Sequence, residues 1–199
     1  MMRKPNPTQD FYRHKAQSFI AGTLVVDMAP LYTRFMAYLP PGARLLDAGC
    51  GSGRDSLFLR QQGYHLLAID ACEAFVTHTR AYAGVEALCL RFDELTYHQA
   101  FDGIWASASL LHVPPAELPA TVDKLGKALK PGGVLYASFK YGNFAGLRHD
   151  RWFTDLDEQS LESLLSHIPQ LHLLDSWQSH DARPERAHEL WLNILLQAR

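Results

Sequence analysis

The stretch LLDAGCGSGRDS at residues 45–56 joins a short apolar run to a polar, helix-like segment. Gly49, Gly51 and Gly53 permit backbone angles that other residues avoid, and they let a ligand approach the main chain without meeting a Cβ. The helix that follows presents unpaired N–H groups and the positive end of its dipole. The pattern therefore predicts a ligand-binding turn between a first strand and a first helix.

Apolar runs typical of buried strands recur on both sides of this turn. They are ARLLDA (43–48), HLLAID (65–70), EALCLRF (86–92), FDGIWAS (101–107) and VLYASFKY (134–141). Continuous apolar runs are typical of parallel strands that helices cover on both faces. Helix-like segments separate the runs, so the alternation predicts a doubly wound α/β fold with a mostly parallel sheet.

The two ends of the chain complete this prediction. Residues 8–39 are expected to be helical, and the segment after Tyr141 is expected to be a loop. Two closing strands, at 171–177 and 189–197, have no helix between them and are therefore expected to be antiparallel. No linker or repeat is visible, so residues 1–199 are predicted to form a single domain. Its parts are a helical lid (8–39), a ligand-binding core (43–141) and a C-terminal helix with closing strands (142–199).

Composition excludes several other classes of protein. The 199 residues are 47% hydrophobic, with 19 Lys plus Arg against 21 Asp plus Glu, which is typical of a globular domain and argues against a dedicated nucleic-acid-binding protein. Three cysteines without a C-x-x-C pair indicate reduced thiols, and no apolar run is long enough to cross a membrane. The histidines and acids show no metal-ligand spacing, so no metal site is predicted. We expect a cytoplasmic protein.

An acid follows the second strand run, and it narrows the choice of ligand. Asp70 lies 21 residues after Gly49, where doubly wound folds place the carboxylate that binds the hydroxyls of an adenosine ribose. The dinucleotide fingerprint needs a glycine at the position of Arg54, and the Gly-Lys-Ser/Thr of a phosphate-binding loop is also absent. Asp47 at the entrance of the turn favours a ligand with a cationic amine or sulfonium over a pyrophosphate.

The chain resembles the class I S-adenosylmethionine-dependent methyltransferases, of the small type 11/12 and tellurite-resistance-like kind. The resemblance runs from about Tyr12 to Leu196 over five motifs: LLDAGCGSGRDS, HLLAIDACE, RFDEL (91–95), FDGIWASASLLHVP (101–114) and LKPGGVLYASFK (129–140). It implies a Rossmann-like, seven-stranded sheet whose last strand is antiparallel and inserted beside its neighbour. It also implies S-adenosylmethionine as methyl donor and S-adenosylhomocysteine as product.

The resemblance implies a set of donor-binding residues. Asp70 would hold the ribose, Asp93 would lie by the adenine amino group, and Phe92 or Glu94 beside the ring. An aromatic residue near the N-terminus, for which Tyr12, Phe19 and Tyr32 are candidates, would cover the donor. The full predicted set is Tyr12, Asp47, Gly49, Cys50, Gly51, Gly53, Arg54, Asp70, Ala71, Phe92, Asp93, Glu94, Ser107 and Leu110.

The chemistry requires few catalytic groups, because the donor is already activated and the protein mainly aligns the reactants and excludes water. His112 follows the fourth strand and is the candidate general base, with a loop hydrogen bond as its alternative role. Tyr141, Arg148, Arg151 and Trp152 follow the fifth strand and are the candidate acceptor-binding residues. Their guanidinium groups favour a carboxylate or phosphate on the acceptor, unless they are solvated surface charges.

A methyltransferase acting on a small molecule is therefore the leading hypothesis, as a monomer or homodimer. One alternative is a methyltransferase acting on RNA or protein, although the chain has no basic, aromatic-rich extension. Another is a non-catalytic protein that binds S-adenosylmethionine to regulate a partner. A nicotinamide-dependent reductase is disfavoured by the spacing of the glycines.

Overall fold

The computed structural model describes residues 6–199 and contains a seven-stranded sheet and a two-stranded hairpin. The strands are β1 (Arg44–Ala48), β2 (His65–Asp70), β3 (Glu86–Cys89), β4 (Phe101–Ala106), β5 (Leu129–Lys140), β6 (Ala145–Arg148), β7 (Arg151–Thr154), β8 (Leu171–His180) and β9 (Leu190–Ala198). The main sheet has the order β3-β2-β1-β4-β5-β9-β8. Neighbours among β1 to β5 pair in parallel, whereas β9 pairs antiparallel with both β5 and β8. The predicted fold class and the inserted antiparallel last strand are confirmed.

Six α-helices flank the sheet within residues 6–199. They are α1 (Pro7–Thr23), α2 (Ala29–Met36), α3 (Arg54–Gln61), α4 (Glu73–Ala83), α5 (Leu118–Ala128) and α6 (Glu158–Ser166). The Asn6 side chain accepts the Gln9 N–H at the start of α1, with Pro7 at its first position. Residues 24–28 interrupt the helical segment predicted over 8–39, which is therefore two helices. No helix within residues 6–199 has the length and apolarity needed to cross a membrane.

Both faces of the sheet are buried, as the apolar runs predict. One face packs against α5 and α6, and the other holds an aromatic cluster with α2 and α3. In this cluster the Trp105 ring stacks on Tyr136 with centroids 4.0 Å apart, and Phe35 from α2 lies beside both rings. This packing fixes β4 and β5, whose carboxyl ends lead into the loops that carry polar side chains.

The loop predicted after Tyr141 is instead the β6–β7 hairpin, in which Arg148 pairs with Arg151. The two residues between them, His149 and Asp150, have φ angles of 48° and 63°. Two-residue hairpin turns with both φ angles positive normally use Asn-Gly or Asp-Gly. His-Asp lacks that signal, so the prediction was wrong. The hairpin places β7 against α1 and against the 3₁₀ turn Leu110–His112.

Candidate active site

A cavity of about 750 Å³ lies at the carboxyl ends of the parallel strands. This volume falls within the roughly 300–1,000 Å³ typical of small-molecule sites. Most of the predicted site residues line it: Tyr12, Gly49, Cys50, Gly51, Arg54, Asp70, Ala71, Phe92, Asp93, Ser107, His112, Tyr141, Arg148 and Arg151. The cavity walls do not include Asp47, Gly53, Glu94, Leu110 or Trp152.

The glycine turn has the backbone that its sequence predicts. Gly49, Gly51 and Gly53 have φ angles of 95°, 50° and 74°. A Cβ on Gly49 would lie 2.4 Å from the Cβ of Ser109, whose hydroxyl donates to the Ala48 carbonyl at 2.6 Å. The turn and the loop after β4 are therefore in direct contact, and this contact requires a glycine at position 49.

Asp70 is bound to the glycine turn through its carboxylate. One oxygen accepts the Gly51 N–H at 3.0 Å, and the other accepts the Cys72 N–H at 2.9 Å. Burial raises the pKa of Asp70 to about 6, against the hydrogen bonds from the backbone. Asp70 lines the cavity, and a carboxylate has acceptor positions beyond the two that these N–H groups use. The chemistry of this group fits two neighbouring hydroxyl donors such as those of a ribose.

Two buried carboxylates beneath the turn differ from the prediction. Asp47 is 2% exposed and accepts the Ser56 hydroxyl at 2.5 Å, and it does not line the cavity at the entrance of the turn, where the sequence places it. Burial and the nearby Asp55 raise the pKa of Asp47 to about 8. Asp55 instead reaches the cavity wall, where Arg54 binds it at 2.6 Å. The carboxylate that lines the cavity here is therefore Asp55, from the start of α3, rather than Asp47, from the end of β1.

Other predicted residues have roles in packing. Tyr32 was a candidate lid residue, but it is buried, stacks on Phe58 and donates to Asp55. Gly53 precedes α3 and packs against Thr79. Leu110 lies in the core. The remaining two outside the walls are Glu94, which accepts the Arg91 backbone N–H, and Trp152, whose indole donates to Thr154.

Tyr12, His112 and Arg151 form a hydrogen-bonded group at the cavity wall. The Nδ1 of His112 lies 2.6 Å from the Trp152 carbonyl, and its Nε2 lies 2.8 Å from the Tyr12 hydroxyl. Arg151 Nη1 donates to the same hydroxyl at 3.3 Å. Burial lowers the pKa of His112 to about 4, and the charge of Arg151 acts in the same direction. His112 is therefore a neutral imidazole at pH 7.

Most cations in the walls contributed by residues 138–193 are neutralised within the protein. Arg148 binds both oxygens of Asp155, at 2.9 and 2.6 Å. Asp181 pairs with Arg183 at 2.7 Å and with Lys140 at 3.2 Å. Lys140 also binds Glu189, from which Arg186 lies 3.9 Å away.

Arg151 differs from these cations. Within residues 6–199, no carboxylate lies within ion-pair distance of its guanidinium. Its Nε is also the one buried side-chain nitrogen or oxygen of the described residues that has no hydrogen-bond partner. Its other neighbours are the rings of Phe11 and Phe153, 4.6 and 5.0 Å from Cζ. The guanidinium therefore has unused capacity for an anion.

The residues that line the cavity fall along the sequence into two halves of opposite net charge. The walls contributed by residues 6–121 hold two cations and four carboxylates, namely Arg54, Arg91, Asp55, Asp70, Asp93 and Glu117. The walls contributed by residues 138–193 hold five cations and three carboxylates, namely Lys140, Arg148, Arg151, Arg183, Arg186, Asp155, Asp181 and Glu189. The lining of the cavity therefore offers carboxylates to a cationic group and guanidinium groups to an anionic group.

Comparison with known proteins identifies the family of this chain. The sequence profile of a family described as "Methyltransferase domain" matches residues 12–183. The chain belongs to this methyltransferase family. The membership confirms the class of S-adenosylmethionine-dependent methyltransferases that the five motifs predict.

Relatives of the methyltransferase chain include two named enzymes. The ubiquinone biosynthesis O-methyltransferase of Xylella fastidiosa is 38% identical over 105 residues, which cover 49% of this chain and 42% of the relative. The malonyl-[acyl-carrier protein] O-methyltransferase of Salmonella typhimurium is 27% identical over 159 residues, or 78% of this chain and 61% of the relative. The chain thus matches about half the length of these relatives.

A solved methyltransferase structure has the same fold. The 1,6-didemethyltoxoflavin-N1-methyltransferase of Burkholderia thailandensis, solved with bound 1,6-didemethyltoxoflavin and S-adenosylhomocysteine, superposes with a TM-score of 0.74. The sequences are 21% identical, and the comparison covers 99% of this chain and 93% of the other.

Several cavity residues of this methyltransferase were not assigned from its sequence. Asp55 is part of the quoted turn motif, directly after Arg54, and its carboxyl charge was a usable signal. Asp181 and Glu189 lie in and beside the polar stretch between the two closing strands, but their pairing with Lys140 depends on the fold. Phe153 lies on β7, in the segment that was expected to be a loop.

Proposed function

We propose that the protein transfers a methyl group from S-adenosylmethionine to a small acceptor that carries a negative charge. Bound S-adenosylmethionine supplies an electrophilic methyl group on a positively charged sulfur. The observation that carries the proposal is the unpaired guanidinium of Arg151 in a cavity where the half of the lining contributed by residues 6–121 is acidic.

The acidic half suits the donor. Asp70 can accept ribose hydroxyls, and the excess of carboxylates over cations in the walls contributed by residues 6–121 favours a ligand with a sulfonium and an ammonium group. Phe19 of α1 lies against the glycine turn, since a Cβ on Gly51 would be 3.3 Å from its ring. Together with Tyr12, it covers this half of the cavity and keeps water from the donor.

The basic half suits an anion. Ion pairs inside the protein occupy Arg148, Arg183 and Lys140, which therefore need no ligand charge. Arg151 has aromatic neighbours and no carboxylate among the described residues, so a guanidinium that is partly removed from water lacks compensation. A single unpaired guanidinium matches a monoanion such as a carboxylate, which it can bind through two parallel hydrogen bonds.

The test is an acceptor screen with variants of Arg151. The purified chain is incubated with S-adenosylmethionine and matched carboxylate, neutral and cationic small molecules, and formation of S-adenosylhomocysteine is measured. We expect turnover to be confined to anionic acceptors. Arg151→Gln should raise their KM by about ten- to a hundredfold, the equivalent of one charge-assisted hydrogen-bond pair.

Arg13→Gln is the matched control, because Arg13 is exposed on α1 and lies outside the cavity. It should leave KM unchanged. Equal turnover of neutral acceptors, or an unchanged KM for the anion in Arg151→Gln, would contradict the anionic acceptor. A chain that binds the donor but turns over no acceptor would contradict the proposed activity.

A further inference from the structure

The protonation state of the Tyr12–His112 pair follows from the geometry. A carbonyl oxygen only accepts hydrogen bonds, so the 2.6 Å contact with Trp152 requires the proton of neutral His112 to be on Nδ1. The Nε2 atom then carries a lone pair, and the Tyr12 hydroxyl donates its proton to it at 2.8 Å. The Tyr12 oxygen retains two lone pairs, of which Arg151 uses one. The other can accept a hydrogen bond from a ligand in the cavity.

We propose that Tyr12 and His112 together remove the proton of an acceptor hydroxyl, and that this hydroxyl is adjacent to the carboxylate that Arg151 binds. The inference rests on the proposed function and names the substrate class for it: a carboxylic acid whose reactive hydroxyl is in the ortho or α position.

The position of the hydroxyl on the acceptor follows from two atoms of the Arg151 guanidinium. Its Nη1 lies 3.3 Å from the Tyr12 oxygen, and its unpartnered Nε belongs to the same small guanidinium. A ligand whose carboxylate binds this guanidinium brings an adjacent hydroxyl to Tyr12, whereas a hydroxyl across a ring is carried away from it. The aromatic side chains of Phe19, Phe92 and Phe153 also line the cavity and suit a flat apolar body between the polar groups.

The proton and electron balance of the step is complete without a further reagent. The acceptor oxygen forms a bond to the methyl carbon while the carbon–sulfur bond of the donor breaks, and the electron pair of that bond stays on sulfur. The hydroxyl proton passes to the Tyr12 oxygen, and the Tyr12 proton passes to His112 Nε2. The positive charge lost at sulfur thus reappears on the imidazole, which releases its proton to solvent after the product leaves.

The charge beside His112 makes its basicity depend on whether the carboxylate of the acceptor is bound. Burial lowers the pKa of His112, and the positive charge of Arg151 lowers it further. A carboxylate on Arg151 neutralises that charge, so the imidazole becomes a stronger base when the acceptor is bound. Tyr12 from α1 and Arg151 from β7 are the titratable or charged side chains that the structure places against the imidazole among the described residues.

The test compares 2-, 3- and 4-hydroxybenzoate as probes with the full chain and S-adenosylmethionine, and identifies each product by mass spectrometry and NMR. We expect 2-hydroxybenzoate to be methylated on its hydroxyl, with kcat/KM at least about tenfold above the other isomers, which corresponds to about 1.4 kcal/mol. Tyr12→Phe keeps the ring but removes the hydroxyl that passes the proton to His112, so kcat should fall by about a hundredfold or more. Its affinity for S-adenosylhomocysteine, measured by calorimetry, should remain within about threefold.

Tyr38→Phe is the matched control, because Tyr38 is exposed and lies outside the cavity. It should behave as wild type. Three results would overturn the inference: a methyl ester as product, equal turnover of the three isomers, or no turnover of any isomer. A Tyr12→Phe variant with unchanged kcat would do the same. Failure of the wild-type chain to bind S-adenosylhomocysteine would instead contradict the proposed function.

Discussion

Two neighbouring buried carboxylates should respond in opposite ways to replacement by asparagine. Asp55 accepts three hydrogen bonds, from Tyr32 at 2.5 Å, Arg54 Nε at 2.6 Å and Trp105 Nε1 at 2.8 Å. Burial acts to raise the pKa of Asp55, but the guanidinium and these donors hold it below its usual value, so the group is charged. Asp47 has Ser56 as its hydrogen-bond donor, and its raised pKa keeps it protonated at pH 7.

Asp55→Asn should be strongly destabilising. The amide offers one oxygen instead of two, so its NH₂ group faces one of the three donors, and Arg54 loses its counter-charge. Removing one member of a buried ion pair costs about 3–5 kcal/mol, which lowers the melting temperature of a domain of this size by about 6–20 °C.

Asp47→Asn should be tolerated and should change the pH dependence of stability. An unfolded aspartate loses its proton near pH 4, whereas folded Asp47 keeps its proton up to about pH 8. Between these values the folded state binds more protons, so the wild type loses about 1.4 kcal/mol of stability per pH unit from this group. The amide introduced by Asp47→Asn cannot titrate, and the variant should gain stability over the wild type as the pH rises from 5 to 8.

The assay is urea unfolding followed by tryptophan fluorescence at pH 5, 6, 7 and 8, together with thermal scans. Equal loss of stability in the two variants would refute the assignment of one charged and one neutral carboxyl group. A cost below about 1 kcal/mol for Asp55→Asn would show that no buried ion pair holds the start of α3.

Two further predictions concern the donor side of the cavity. Gly49→Ala combines a φ of 95° with a Cβ 2.4 Å from that of Ser109, so it should lower the free energy of unfolding by about 2–6 kcal/mol. Gly63→Ala has a similar φ of 91° but open space around the new Cβ, so it should lower the free energy of unfolding by about 1–3 kcal/mol. Thermal unfolding of both variants measures the difference. Ribose hydroxyls prefer an ionised Asp70, whose pKa is about 6, so donor affinity should fall about tenfold between pH 7.5 and pH 5. Calorimetry of Asp70→Asn, which should show no such fall, is the control for the second prediction.

The sheet could be predicted from sequence because each of its parallel strands is marked by its own short run of apolar residues. Strands buried on both faces need continuous apolar runs, and the five runs found in the sequence coincide with β1 to β5 to within a few residues, apart from the earlier start of β5 at Leu129. The β6–β7 hairpin could not be predicted, since the two positive φ angles fall on His149 and Asp150, and the glycine that normally marks such a turn is absent.

The site was harder to predict because it depends on which partners the fold brings together. The arginines after β5 were visible as a cluster, but Arg148 is paired with Asp155 through the unexpected hairpin, and Arg151 is left unpaired. Likewise, the sequence contains both Asp47 and Asp55, and only the packing of α3 against β4 decides which one reaches the cavity. The roles of the lining residues in binding and catalysis stay predictions.

Calorimetric titration of the wild-type chain and of Asp70→Ala with S-adenosylmethionine, S-adenosylhomocysteine and NAD tests the central claim most directly. We predict that the two adenosyl compounds bind with micromolar affinity and NAD does not. Asp70→Ala should weaken binding by at least about tenfold, because the ribose hydroxyls lose a charged acceptor. Binding of NAD alone, or undiminished binding of the adenosyl compounds by the variant, would contradict the account.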